Sequence, residues 1–193
     1  MKHLLFVLIV GSLALLPMLG GAGDEKKKDP NEPKYTNDIY VPTADEVIAK
    51  MFEMGKVTKD DVLFDLGCGD GRILYQAAKK FGSRGIGIEL NPVRIREAMD
   101  QAEKHKVGTL VEIRHGDALT PKDLSDATVV VLYMFPEFMN LWQPIAKEKL
   151  KPGTRILSHD YAWNIGEWEP DQTVIVRSST REHKVHMWTV KGK

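Results

Sequence analysis

The 193-residue sequence carries a single cysteine, Cys68. A lone thiol forms no intrachain disulfide and anchors no Cys-rich zinc site. Net charge is also missing, since 27 Lys and Arg balance 27 Asp and Glu. That excludes a grip on nucleic acid by bulk electrostatics, and no nucleic-acid partner is expected. Aromatic residues are few, at 8%, and the one long apolar run covers residues 4–19, which excludes a multi-span membrane protein. No internal repeat is visible. What is present, 42% hydrophobic and 28% charged residues, is the balance of a folded domain long enough to bury a core.

Residues 4–19 follow Lys2 and His3 and lead into Gly20, Gly21, Ala22 and Gly23. A basic start, an apolar middle and small residues at the exit describe a signal peptide over residues 1–23, cleaved after Ala22. The competing reading is an uncleaved membrane anchor: sixteen helical residues rise about 24 Å, a little short of the hydrocarbon thickness. The protein is therefore expected to be exported or membrane-associated. An anchor with the domain facing the cytoplasm is the alternative, which Lys26, Lys27 and Lys28 favour over Lys2. Residues 24–34 read as a charged linker, with the globular domain over 35–193.

Within that domain strand and helix signals alternate. Thr43-Ala44-Asp45-Glu46 has the form of a capping box opening a helix that ends at Gly55. Val62-Leu63-Phe64 is a buried strand, and the apolar spacing from Arg72 predicts a helix closed by Gly82. A strand over 85–89 precedes a helix capped by Asn91, with Pro92 first and Gly108 at its end. Strands follow over 110–114, 128–133 and 154–158, with a helix over 137–150 that contains Pro144. Residues 173–176 and 184–190, joined by a polar loop, form a closing hairpin. The pattern predicts an open α/β sandwich of Rossmann type, mostly parallel with one antiparallel strand.

The segment Asp65-Leu66-Gly67-Cys68-Gly69-Asp70-Gly71-Arg72 joins a buried strand to a helix. Gly67 and Gly69 let the backbone turn tightly and approach a ligand, and free N–H groups at the helix start favour an anion. Asp65 is placed to meet an amino group, so a ligand with both a carboxylate and an ammonium suits this turn. The dinucleotide fingerprint needs a third glycine where Arg72 stands, which disfavours an NAD-dependent oxidoreductase. Glu89 ends the next strand, where an acid accepts from ribose hydroxyls. Asp117, in His115-Gly116-Asp117-Ala118, follows the third strand, where it accepts from an adenine amine or serves a simple turn. Tyr133-Met134-Phe135-Pro136 opens over the same crevice.

From residue 35 onward the chain resembles the seven-stranded class I S-adenosylmethionine-dependent methyltransferases. More narrowly, it resembles the archaeal protein-lysine methyltransferases and the mitochondrial lysine methyltransferases of the ATP synthase c-subunit and the adenine nucleotide translocase. The match rests on Tyr40-Val41-Pro42-Thr43, the run from Asp65 to Ile73, Gly87-Ile88-Glu89-Leu90-Asn91-Pro92, Leu150-Lys151-Pro152-Gly153-Thr154-Arg155 and Trp168-Glu169-Pro170. Ser158-His159-Asp160-Tyr161 departs from the family's usual residues. The resemblance implies S-adenosyl-L-methionine as cofactor, held by Tyr40, Thr43, Asp65, Gly67, Gly69, Glu89, Asp117 and Ala118. It implies a protein lysine as acceptor, and Tyr133 and Asp160, each following a strand on the acceptor side, are the candidate catalytic residues.

Methyl transfer from a sulfonium is an in-line displacement that needs alignment and a dry site. A lysine ammonium must first lose its proton, at a cost of roughly 4–5 kcal/mol at neutral pH. Tyr40, Tyr133 and Phe135 are candidates for an aromatic lining that promotes this loss. Trp142, Trp163, Trp168 and Trp188 are assigned to packing. His183 and His186 fall on opposite faces of a strand, and His115 and His159 have no Cys partner, so no metal is expected. There is no G-x-S-x-G elbow for a hydrolase. A monomer is expected. A small-molecule or lipid-like acceptor, and a nucleotide-binding module without catalysis, remain as alternatives.

Overall fold

The structure, a computed structural model, describes residues 39–163 and 168–192. The expectations for residues 1–34, a signal peptide or anchor followed by a linker, lie outside the described residues. Among the described residues no helix is long and apolar enough to cross a membrane.

Eleven elements follow in order: α1 (Asp45–Gly55), β1 (Val62–Leu66), α2 (Arg72–Phe81), β2 (Arg84–Glu89), α3 (Pro92–Lys104), β3 (Val111–His115), β4 (Val129–Leu132), α4 (Pro136–Lys149), β5 (Arg155–His159), β6 (Gln172–Arg177) and β7 (Glu182–Thr189). The strands form one seven-stranded sheet in the order β3-β2-β1-β4-β5-β7-β6. The first five run parallel, and β7 pairs antiparallel with both β5 and β6. Strand order reverses between β1 and β4, and ligands of such sheets bind at the carboxyl ends beside that switch.

Near-continuous apolar runs mark the central strands because both faces are covered. Leu63, Val129, Val131 and Leu157 meet Val47, Ile48 and Met51 of α1 and Ile73 and Leu74 of α2. Phe64, Leu66, Val130, Leu132 and Ile156 meet Met139, Trp142 and Ala146 of α4. Trp142 and Trp188 are fully buried, and Trp163 and Trp168 pack against the same cluster.

Two local expectations fail. Helix α1 starts one position later than the capping box requires: Ala44 is its N-cap, with no side-chain cap bond. The Thr43 hydroxyl instead shares a hydrogen bond with His159 Nδ1, 3.2 Å away, so a tertiary bond displaces the local one. Helix α3 is capped by Asn91 as expected but ends at Lys104, short of Gly108. Lys106 takes the left-handed conformation after it.

Arg72 does not obstruct helix packing. Its guanidinium folds back onto Asp70 through Nε and a terminal nitrogen, while Gly85 and Gly87 of β2 leave room for Leu74 of α2. A Cβ on Gly87 falls 2.5 Å from Cys68 Sγ and 2.8 Å from Leu74 Cδ1. Gly87→Ala is therefore expected to destabilise by about 1–3 kcal/mol in urea unfolding. Gly108→Ala, with nothing within 4 Å of the added carbon, is expected to be neutral.

Candidate active site

Five carboxyl-terminal strand ends meet at one edge of the sheet. The glycine turn after β1 has positive φ at Gly67, Gly69 and Gly71. At Gly69 a Cβ falls 2.3 Å from Tyr40 Cε2, so the Tyr40 ring lies directly on the turn. Arg94 stacks on the Tyr40 ring, 4.1 Å from its centroid. The Tyr40 hydroxyl is buried beside Asp70 without a hydrogen bond of ordinary geometry. Burial, and then a loose hydrogen bond to the Asp70 carboxylate and its charge, push its pKa up to about 12.

Glu89 grips the turn. One carboxylate oxygen accepts from the Gly69 N–H at 2.9 Å, and the other accepts from Leu90 and Asn91, both at 2.9 Å. A carboxylate has about four lone-pair sites, so one further donor can be received. Asp117 accepts from the Leu119 N–H at 2.8 Å, the turn role weighed from the sequence. Ala118 packs into the core beside Ile88.

Asp65 is the unusual member. It is 3% exposed, and among the described residues its carboxyl has no hydrogen-bond partner. Burial, with Glu89 and Asp70 nearby, pushes its pKa up to about 8. A buried polar group left unpaired is costly, which makes Asp65 a candidate receptor for a cation. Asp65, with no hydrogen-bond partner among the described residues, and the Tyr40 hydroxyl beside Asp70 flank a glycine cradle. Their chemistry fits a zwitterion with an ammonium at one end.

The second half of the crevice is built by β4, β5 and the β6–β7 hairpin. Tyr133 stacks on His159, with ring centroids 3.8 Å apart, and lies near Tyr161; Phe135 flanks Tyr161 in turn. Asp160 follows β5 in the left-handed conformation, with φ 62. Its Oδ1 accepts from the Lys184 N–H at 3.0 Å, and its backbone N–H donates to the Lys184 carbonyl. Its Oδ2 lies 3.5 Å from the Tyr133 hydroxyl and accepts from the Arg181 guanidinium at 2.5 Å. Burial raises the Asp160 pKa, but the Arg181 and Lys184 hydrogen bonds outweigh it and hold the carboxyl below its usual value. Burial, aided by Asp160, raises Tyr133.

Behind Asp160 runs a chain of side chains. The Ser178 hydroxyl lies 3.2 Å from the Arg181 carbonyl and shares a hydrogen bond of 2.9 Å with His183 Nε2. His183 Nδ1 and His159 Nε2 share one of 2.8 Å, and His159 Nδ1 shares one with the Thr43 hydroxyl. The direction of these bonds reverses with the two histidine tautomers. Burial pushes His159 down to about 4, so it is neutral at pH 7.

The histidine that meets His183 is not His186, its neighbour in sequence, but His159, one strand away. His159, Asp160 and His183 each bring a ligand-type atom within 4.8 Å of the others. Those atoms are already taken, the nitrogens by each other and the carboxylate by Arg181. His186 bonds to Thr173 on β6. Arg181, His183 and Ser178 were absent from the sequence-based site. Their signal lay in the hairpin register, which no local motif encodes.

A family profile described as the ANTKMT methyltransferase domain matches residues 65–172. The chain belongs to this methyltransferase family. A protein-lysine N-methyltransferase of Saccharolobus islandicus (strain REY15A) is 38% identical over 152 residues, 78% of this chain and 92% of that protein. The human lysine N-methyltransferase of the ATP synthase C-subunit is 27% identical over 132 residues, covering 68% of this chain and 54% of the human protein. Among solved structures, an RNA methyltransferase from Salinibacter ruber in complex with S-adenosyl-L-homocysteine superposes with a TM-score of 0.72 at 42% identity. That match covers 79% of this chain and 95% of the other. The ANTKMT match begins at Asp65 and takes in Glu89, Tyr133 and Asp160. Arg181 and His183 lie beyond it.

Proposed function

We propose that this methyltransferase uses S-adenosyl-L-methionine to N-methylate a lysine side chain of a protein. One observation carries the acceptor assignment. At the end of β5 a carboxylate held in its ionised form, Asp160, stands beside a tyrosine hydroxyl among aromatic rings. A carboxylate among aromatic rings favours a cationic acceptor over a neutral one. The 38% identity to an archaeal protein-lysine N-methyltransferase supports the same reading.

The cofactor, when bound, supplies an electrophilic methyl group on a sulfonium. Asp65 would meet its ammonium, and the N–H groups of the glycine turn its carboxylate. Glu89 would take one ribose hydroxyl at its remaining acceptor site, and Asp117 with Ala118 the adenine edge. Tyr40 and Thr43 would close this half of the crevice. On the acceptor side, Asp160 orients the lysine ammonium, and the proton that the ammonium must shed passes to water. Tyr133, Tyr161 and Phe135 exclude water, which lowers the cost of the neutral amine.

Tyr133→Phe is expected to lower methyl transfer about tenfold, the loss of one hydrogen bond at the amine, with cofactor affinity unchanged. Initial rates and calorimetry on the same protein measure both. The assignment itself is tested by labelling a cell extract with methyl-labelled cofactor, followed by acid hydrolysis. Methyl-lysine in polypeptide is the expected product. Label in RNA, or in small molecules alone, overturns the lysine reading.

For location, residues 4–19 after Lys2 support a protein exported or held at a membrane. N-terminal sequencing of the mature chain tests this: a start near Gly23 identifies export, and an intact membrane-bound chain identifies an anchor. An intact chain in the soluble fraction contradicts both.

A further inference from the structure

Arg181 sits where the proposed acceptor should bind. It lies in the hairpin turn between β6 and β7, and its guanidinium donates to Asp160 Oδ2 at 2.5 Å and to the Tyr133 hydroxyl at 3.3 Å. Asp160 Oδ1 is already committed to the backbone of Lys184. Oδ2 is thus the oxygen left to meet an incoming ammonium, and Arg181 covers it. The Arg181 side chain is 49% exposed, against 15% for Asp160. The cation is more open to solvent than the carboxylate beneath it.

The turn does not depend on that ion pair. Ser178 Oγ receives the N–H groups of Thr180 and Arg181, and the Ser178 N–H donates to the Arg181 carbonyl. His183 holds Ser178, and His159 holds His183, so the hairpin backbone is fastened to β5 and to Thr43 without the guanidinium. Half-exposed ion pairs contribute little to folding. The side chain can leave while the turn stays.

We propose that Arg181 is the resident occupant of the acceptor subsite, marking where the substrate ammonium binds and restricting entry to cations able to displace it. This inference rests on the lysine reading above. It adds a residue outside the ANTKMT match that tunes acceptor choice.

The most direct test is Arg181→Lys in the full chain with methyl-labelled S-adenosylmethionine. The introduced amine, held by Asp160 and having lost its proton to water, would donate its lone pair to the methyl carbon. The carbon–sulfur bond would break with its electrons remaining on sulfur. Label at position 181, located by peptide mass mapping and formed at a rate independent of protein concentration, is expected. Replacing Asp160 by Asn in the same variant should remove it. In a second variant, Arg181→Ala, the probe n-butylammonium should accept methyl groups at least tenfold faster than with the native chain.

An Arg181→Lys variant that folds and binds cofactor yet stays unlabelled at that position overturns the proposal, as does labelling whose rate rises with protein concentration. A probe rate equal in Arg181→Ala and the native chain overturns it too, and so does a stoichiometric transition metal found on His159 and His183. All of these leave the methyltransferase assignment intact. Failure of the native chain to bind S-adenosylmethionine at all would instead remove the reading beneath it.

Discussion

Asp65→Asn should make the protein more stable and less able to bind its cofactor. The native carboxyl is buried, has no hydrogen-bond partner among the described residues, and holds its proton up to about pH 8. In the unfolded chain the same group ionises near pH 4. Between those values the native state binds more protons than the unfolded state, so stability falls as pH rises through this window and levels off above it. The amide is neutral throughout and removes that slope. The gain is expected to be several kcal/mol, up to about 5, at pH 8, shrinking to nothing near pH 4. Thermal melts of the two proteins across this range measure it. Affinity should move the other way, by at least tenfold, because an amide gives an ammonium no counter-charge. Stability given up at one buried group for the sake of a ligand is the trade-off seen at functional sites.

Glu89→Ala should harm both properties. Three backbone N–H groups, those of Gly69, Leu90 and Asn91, lose their acceptor at once. Unpaired donors in a half-buried turn are expected to cost about 2–4 kcal/mol of folding stability, read from urea unfolding. The glycine turn loses the brace that sets its shape, so cofactor binding should fall below detection by calorimetry. Glu89→Gln keeps one carbonyl oxygen and should lie between. The opposite signs of the stability changes at Asp65 and Glu89 separate a group kept for ligand binding from one that also builds the site.

The alternation of strands and helices was legible because Gly, Pro and Asn punctuate it at the element ends. Gly82 closes α2 in the left-handed conformation, and Asn91 with Pro92 opens α3. The residues proposed for the cofactor were picked out for the same reason: Asp65, the glycine turn and Glu89 each lie at or directly after a strand's end. The acceptor half was only partly so. Tyr133 and Asp160 directly follow strands, but their partners arrive through the β5–β7 register, which places His159 opposite Val185 and brings His183 within reach. Thr43 shows the limit of local reasoning. Its sequence context reads as a helix cap, yet its hydroxyl is claimed by a histidine 116 positions away. Glu89 was read for a ribose alone, since nothing in a sequence shows a carboxylate bonding to the turn of a neighbouring strand.

Proton release on cofactor binding tests the central claim most directly. Titration calorimetry with S-adenosylmethionine at pH 7, repeated in buffers of different ionisation enthalpy, counts the protons exchanged. If Asp65 receives the ammonium, close to one proton should be released per cofactor bound, and Asp65→Asn should release none. Tight binding of the cofactor with no dependence on the buffer would contradict it.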